Sequence, residues 1–227
     1  MKINRLFFTM FVLAGLIILN FSGCVSPKLY SVNMKYDAAQ ATPPAYLKAE
    51  SRGGAVIAVA EFTDKRGIAD KKVIGRVVEK DGTNIMVFPK YIVATKAAAD
   101  GVKDYLNKAG YQVADKIALW DLTEENIPDV TAKILVGGSI DEMEIICRRA
   151  FPTNSYSANI KLTIIFADIS EGHVFYTRRV EATSSHEHVS FSEERMGDYM
   201  STLLGEAIRN VFEDKAVAAK IREITAR

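Results

Sequence analysis

Ala158-Asn-Ile-Lys-Leu-Thr-Ile-Ile-Phe166 alternates apolar and polar side chains almost throughout. Successive residues of a strand point to opposite faces. The stretch therefore predicts a half-buried strand, with Ala158, Ile160, Leu162, Ile164 and Phe166 inward and Asn159, Lys161 and Thr163 outward. Ser170-Glu171-Gly172 then turns the chain, and residues 174–183 return antiparallel to it. Upstream, residues 133–147 read as a long strand whose inward parity changes near Gly137-Gly138, which predicts a bulge or bend there. Downstream, Met196, Met200, Leu203, Ala207 and Val211 form one apolar stripe at helical spacing within residues 193–212, and residues 214–224 read as a shorter continuation.

Working toward the N-terminus, residues 91–109 carry Tyr91, Ala94, Ala98, Val102, Tyr105 and Ala109 at three- or four-residue spacing, with Gly110 placed to cap a helix. A short strand at 111–113 and a loop holding Trp120 and Pro128 follow. Asp81-Gly82 between residues 72–79 and 83–88 is a hairpin turn signal. Ala55-Val-Ile-Ala-Val-Ala-Glu-Phe62 is apolar nearly throughout, as a strand buried on both faces must be. Tyr30, Val32, Met34 and Tyr36 alternate with polar residues and predict a short strand near 30–36. The expected architecture is α+β: a mostly antiparallel sheet with two main helices on one face, in the order strand-strand-strand-helix-strand-strand-strand-helix.

The first two dozen residues have the parts of an export signal. Lys2 and Arg5 supply positive charge, residues 6–19 are apolar except for Thr9 and Gly15, and Phe21-Ser22-Gly23 leads to Cys24. The apolar run is shorter than the roughly 20 residues a membrane span needs. The ending resembles the bacterial lipobox, with Phe21 where leucine is usual and Ser22, Gly23 and Cys24 matching. Such a site implies peptidase recognition of residues 21–23, lipidation of Cys24 and cleavage of residues 1–23. Val25 after the cysteine implies the outer membrane, facing the periplasm. Residues 24–54, with Pro43-Pro44 and Gly53-Gly54, then read as a lipidated tether, and residues 55–227 as one domain.

Charge and cysteine content narrow the classes. The whole chain carries +1 formal charge, and loss of Lys2 and Arg5 with residues 1–23 makes it −1. That is no polyanion binder, and nucleic acid is an unsuitable partner. With Cys24 acylated, Cys147 has no disulfide partner and reads as a small buried hydrophobe.

The lipobox, the strand at 56–62, Asp64-x-Arg66-Gly67, Ile74-Gly75 and Leu106-Asn-Lys-Ala-Gly-Tyr-Gln-Val113 together resemble the YajG-type family of bacterial lipoproteins. The likeness covers roughly residues 55–215 and extends to small α+β envelope lipoproteins such as LpoB-type activators. It implies a fold and an address at the envelope, with binding or assembly roles and no established reaction.

No residue pattern makes a strong catalytic or metal site. His186 and His188 share one face of a strand, but two histidines lack a third ligand. Asp141, Glu142 and Glu144 read as a solvent-exposed strand edge. Arg148-Arg149 and Arg178-Arg179, if they met across adjacent strands, would form a basic rim. Asp64, Lys65 and Arg66 form a charged turn that reads as a solvated loop or as a polar contact for a partner, with Asp64 and Arg66 pairing to shape it. The expectation is a non-enzymatic, membrane-anchored binding or assembly module with an envelope protein partner and no cofactor or metal. The alternative is a carrier or sensor of a small apolar or lipidic ligand held between sheet and helix.

Overall fold

The computed structural model describes residues 28–37, 40–49, 56–114 and 119–227. Phe21, Ser22, Gly23, Cys24, Gly53-Gly54 and Ala55 lie outside these residues. Among the described residues there are nine strands and three α-helices. The strands are β1 (Tyr30–Val32), β2 (Val56–Val59), β3 (Thr63–Asp64), β4 (Gly75–Val78), β5 (Asn84–Pro89), β6 (Gln112–Val113), β7 (Ile134–Arg148), β8 (Asn154–Asp168) and β9 (His173–His188). The helices are α1 (Ala94–Lys108), α2 (Glu193–Phe212) and α3 (Lys215–Ala226), and a short 3-10 turn, Ala45–Leu47, buries Leu47.

The sheet is built around β7. One of its edges pairs antiparallel with β8 along nearly the whole strand, and β8 pairs antiparallel with β9. The other edge is shared end to end by three short strands, all parallel to β7: β2 against residues 134–136, β3 against 139–140 and β4 against 145–148. β5 folds back antiparallel on β4, β1 adds parallel to β5, and β6 adds parallel to β2. The sheet is therefore mixed, which corrects the mostly antiparallel expectation. The antiparallel hairpins announce themselves through local turns, whereas the parallel pairs join strands far apart in sequence. The helix count also changes: Asp214 caps a separate α3, its carboxylate accepting from the Ala216 N–H, so the C-terminal segment is a helix of its own.

Residues at the predicted inward positions are buried. Ala158, Ile160, Leu162, Ile164 and Phe166 all lie in the core, against the fully buried stripe of α2. That helix starts where its chemistry directs. Ser192 accepts from the Arg195 N–H, and Glu193 and Glu194 occupy the positively polarised first turn. β2 is buried on both faces, Ile57 and Val59 in the main core and Ala58 and Ala60 in a second cluster with Trp120 and Leu135. The turn glycines Gly82, Gly110 and Gly172 take positive φ, at 85°, 97° and 66°.

Two local expectations change. The β7 irregularity falls between Ile140 and Glu142, while Gly137 and Gly138 pair regularly with Ile165 and Ile164. The two glycines serve close packing: a Cβ at Gly137 would lie 2.7 Å from the Trp120 ring, and one at Gly138 2.5 Å from the Thr163 carbonyl oxygen. Residues 28–37 and 40–49, read as part of a tether, are packed on the domain. Tyr30, Val32, Met34 and Tyr36 are buried between the helices and the sheet, so the strand-like alternation belongs to a core element.

Candidate functional site

Thr63 and Asp64 pair with Ser139 and Ile140, and the Lys65 N–H still reaches the Ile140 carbonyl at 2.9 Å. The chain then leaves the sheet and returns as β4. Arg66 closes the base of this excursion. Its Nε donates to both Asp64 carboxylate oxygens at 3.0 and 3.1 Å, and Nη2 donates to Asp64 Oδ2 at 2.6 Å. Nη1 donates to the Val73 carbonyl at 2.7 Å, and Nη2 also reaches the Lys71 carbonyl. The Lys71 ammonium in turn donates to the Arg66 carbonyl. Arg66 is 3% exposed, so the guanidinium acts as a fully engaged cross-link between strand and loop.

Burial pushes the Asp64 carboxyl up, but hydrogen bonds from Arg66 and the charges of Arg66 and Lys71 outweigh it, leaving it below its ordinary value. Asp64 and Arg66 do pair to shape the turn, and their charges neutralise one another inside it. Lys65 and the tip residues Gly67, Ile68, Ala69 and Asp70 are exposed. Beside them lies a cavity of about 240 Å³, lined among others by Arg66, Ile68, Ile74, Met143 and Glu144. The part of this turn able to meet another molecule is Lys65 and the tip.

The carboxylates Asp141, Glu142 and Glu144 are each tied to a cation. Asp141 lies 3.3 Å from Arg179, Glu142 3.1 Å from Lys161, and Glu144 pairs with Arg76. These pairs cross the open face of the sheet. The two arginine pairs do not meet. Arg148 stands opposite Ser155, which stands opposite Glu187, whereas Arg178 and Arg179 stand opposite Ile164 and Thr163 farther along β8. Arg178 instead pairs with Asp214 at 2.9 Å. His186 is stacked on Tyr199 with ring centroids 4.2 Å apart, and the His188 ring faces Ser190. Among the described residues, no group of three or more His, Cys, Asp or Glu is placed to hold a metal ion. Cys147 is buried, and burial pushes its thiol up.

Sequence reading missed a cluster where the chain comes into the fold. Glu79 accepts from the Tyr30 hydroxyl at 3.1 Å, from Arg149 at 3.0 Å and from Lys28 at 3.3 Å. The Tyr30 ring lies 4.9 Å from Phe191, and the Arg149 guanidinium 5.3 Å from the same ring. These residues come from four separate stretches of sequence, so no local pattern signals them. A groove of about 540 Å³ runs between residues 33–37 and 40–42 on one side and α2 on the other, lined by Lys35, Asp37, Glu194, Asp198, Glu206 and Arg209 among others.

No protein-family model matches the chain, and no curated protein matches it in sequence. Among solved structures, the fold is similar to that of protein XCC0632 from Xanthomonas campestris, of the DUF330 family: TM-score 0.54 and 14% identity, covering 86% of this chain and 98% of the other. The lipoprotein GNA1162 from Neisseria meningitidis also aligns, at TM-score 0.35 and 12% identity over 76% of this chain and 99% of the other. Only the first likeness is near enough to speak to the fold, and it speaks to the fold alone.

Proposed function

We propose that this chain is a bacterial lipoprotein, acylated at Cys24, whose α+β domain works at an envelope membrane as a non-enzymatic binding or assembly module. The observation that carries the reading is the N-terminal sequence: Lys2 and Arg5, an apolar run too short to span, and Phe21-Ser22-Gly23-Cys24. Among the described residues no helix is long and apolar enough to cross a membrane. The YajG-type likeness supports an envelope role, and Val25 favours the outer membrane with the domain in the periplasm. Lys65 and the exposed tip at residues 67–70 are the part of the Asp64-Lys65-Arg66 turn offered to a protein partner. The reading of an apolar-ligand carrier has less support, because the 540 Å³ groove is lined by charges that such a ligand would have to desolvate.

The test is expression of the full chain in a Gram-negative host, with mass spectrometry of the mature N-terminus and membrane fractionation. An acylated Cys24 in the wild type, and a Cys24→Ser variant released from the membrane, are the expected results. An unmodified wild-type cysteine, or wild type found in the soluble fraction, overturns the reading. For the partner, envelopes crosslinked in vivo should yield an adduct with wild type that Lys65→Glu weakens; no adduct above the Cys24→Ser control removes the assembly role.

A further inference from the structure

The cluster around Glu79 gathers one end of the molecule. Lys28 and Tyr30, at the start of the described chain, meet Glu79 at the end of β4, Arg149 at the β7–β8 turn and Phe191 beyond β9. The same end is fastened across β8 and β9, where the Asn154 amide donates to the carbonyls of His188 and Val189 at 3.2 Å each.

Large apolar side chains project from these loops. Leu29 is 59% exposed, Phe151 88% and Val189 72%. Leu29 stands between the two Glu79 ligands Lys28 and Tyr30, Phe151 two residues after Arg149, and Val189 two before Phe191. A single exposed apolar residue needs no explanation. Three on adjoining loops at one end do. The basic residues Lys28, Lys80, Arg148 and Arg149 accompany them against the acids Glu79, Asp81 and Glu187, an excess of one positive charge, with Glu79 shared between Lys28 and Arg149.

The chain length outside the described residues says what covers this end. Only Val25, Ser26 and Pro27 separate Cys24 from Lys28. Four virtual bonds reach at most about 14 Å. A lipid on Cys24 would therefore hold Lys28 within that distance of the acylated cysteine, and Leu29 within about 18 Å.

We infer that this end of the domain is a docking face for a phospholipid leaflet, with Leu29, Phe151 and Val189 set into the interface and Lys28, Lys80 and Arg148 against anionic headgroups. The inference rests on acylation at Cys24, proposed above. It adds an orientation: the β4–β5 turn and the β7–β8 turn face the lipid, and the opposite end of the long strands, with the β8–β9 turn at Glu171, faces away.

The experiment uses full-length acylated protein reconstituted into phosphatidylethanolamine–phosphatidylglycerol vesicles containing brominated lipid. Phe151→Trp and Val189→Trp report on the proposed face and Glu171→Trp, in the exposed β8–β9 turn, on the other end, all keeping the buried Trp120 as a common background. Fluorescence at 151 and 189 should shift to the blue and be quenched about twofold more than at 171. Equal quenching at all three positions, in protein that floats with the vesicles and carries acyl mass, overturns the docking face and leaves the anchor standing. Protein that neither floats nor carries acyl mass overturns both.

Discussion

Gly197 on α2 lies against the backbone of Asn33, so closely that a Cβ on the glycine would sit 2.5 Å from the Asn33 carbonyl oxygen. The N-terminal segment is thus seated on the helix through main chain. It is held there by Ser31 donating to Glu193 at 2.8 Å and by the Lys35 N–H donating to the Ser201 hydroxyl at 3.0 Å.

Alanine at two glycines of this one helix should have opposite effects. Helix propensity favours Gly→Ala by up to about 1 kcal/mol. At Gly205 the nearest atom is a Tyr36 ring carbon at 3.6 Å, an ordinary contact, so Gly205→Ala should raise the melting temperature. At Gly197 the obstacle is backbone, and the overpacking cost of about 1–3 kcal/mol outweighs the gain. Gly197→Ala should melt lower and expose residues 28–37 to limited proteolysis; equal melting temperatures for the two variants would contradict this packing.

Arg66 should be dearer to lose than its place in a surface excursion suggests. Arg66→Ala leaves the part-buried Asp64 carboxylate without its main partner, and breaking such a pair costs about 3 kcal/mol. Urea unfolding measures it. The double variant Asp64→Asn/Arg66→Met should recover part of the loss, since no unpaired charge remains.

Acid sensitivity should trace to the depressed carboxylates. Asp64 and Asp168 are both held below the usual 3.8; for Asp168, burial raises the value, but hydrogen bonds from Ser170 and the backbone outweigh it. The folded state thus binds these protons less readily than the unfolded chain. Their stabilisation is complete above the ordinary carboxylate value and is lost as pH falls through the lower folded one. Stability measured down through pH 4 should decline, and less steeply in Asp64→Asn, which is weaker at neutral pH.

Cys147 should be silent in the native protein. In a Cys24→Ser background it is the one thiol, buried on β7 opposite Tyr156 of β8 with its ionisation suppressed. Labelling with a thiol reagent should be slow and should accelerate in denaturant along the unfolding transition. Fast native labelling would contradict its burial.

Much of this fold was legible because its signals are short-range. The alternation at 158–166, the turns at Gly82 and Gly172 and the stripe of α2 each lie within one element or one hairpin, and each stands where the pattern puts it. The parallel pairings were not legible, because nothing near Ile57 or Gly75 specifies Ile134 or Ile145 as a neighbour. The same limit governs the site. Asp64 and Arg66 stand two apart and their pairing could be foreseen. The carbonyl of Val73 that helps enclose Arg66, and the Glu79–Arg149 contact, arise only in the folded chain.

The shared edge of β7 also decides what a shortened chain can keep. β2, β3 and β4 take their places on a strand about 70 residues further along the chain. Before residue 134 the pairings open to them are those of β4 with β5 and of β2 with β6. Their places on β7 need residues 134–148. A chain truncated before residue 134 has lost the frame on which β2, β3 and β4 are hung, and keeps only a hairpin and short parallel pairs.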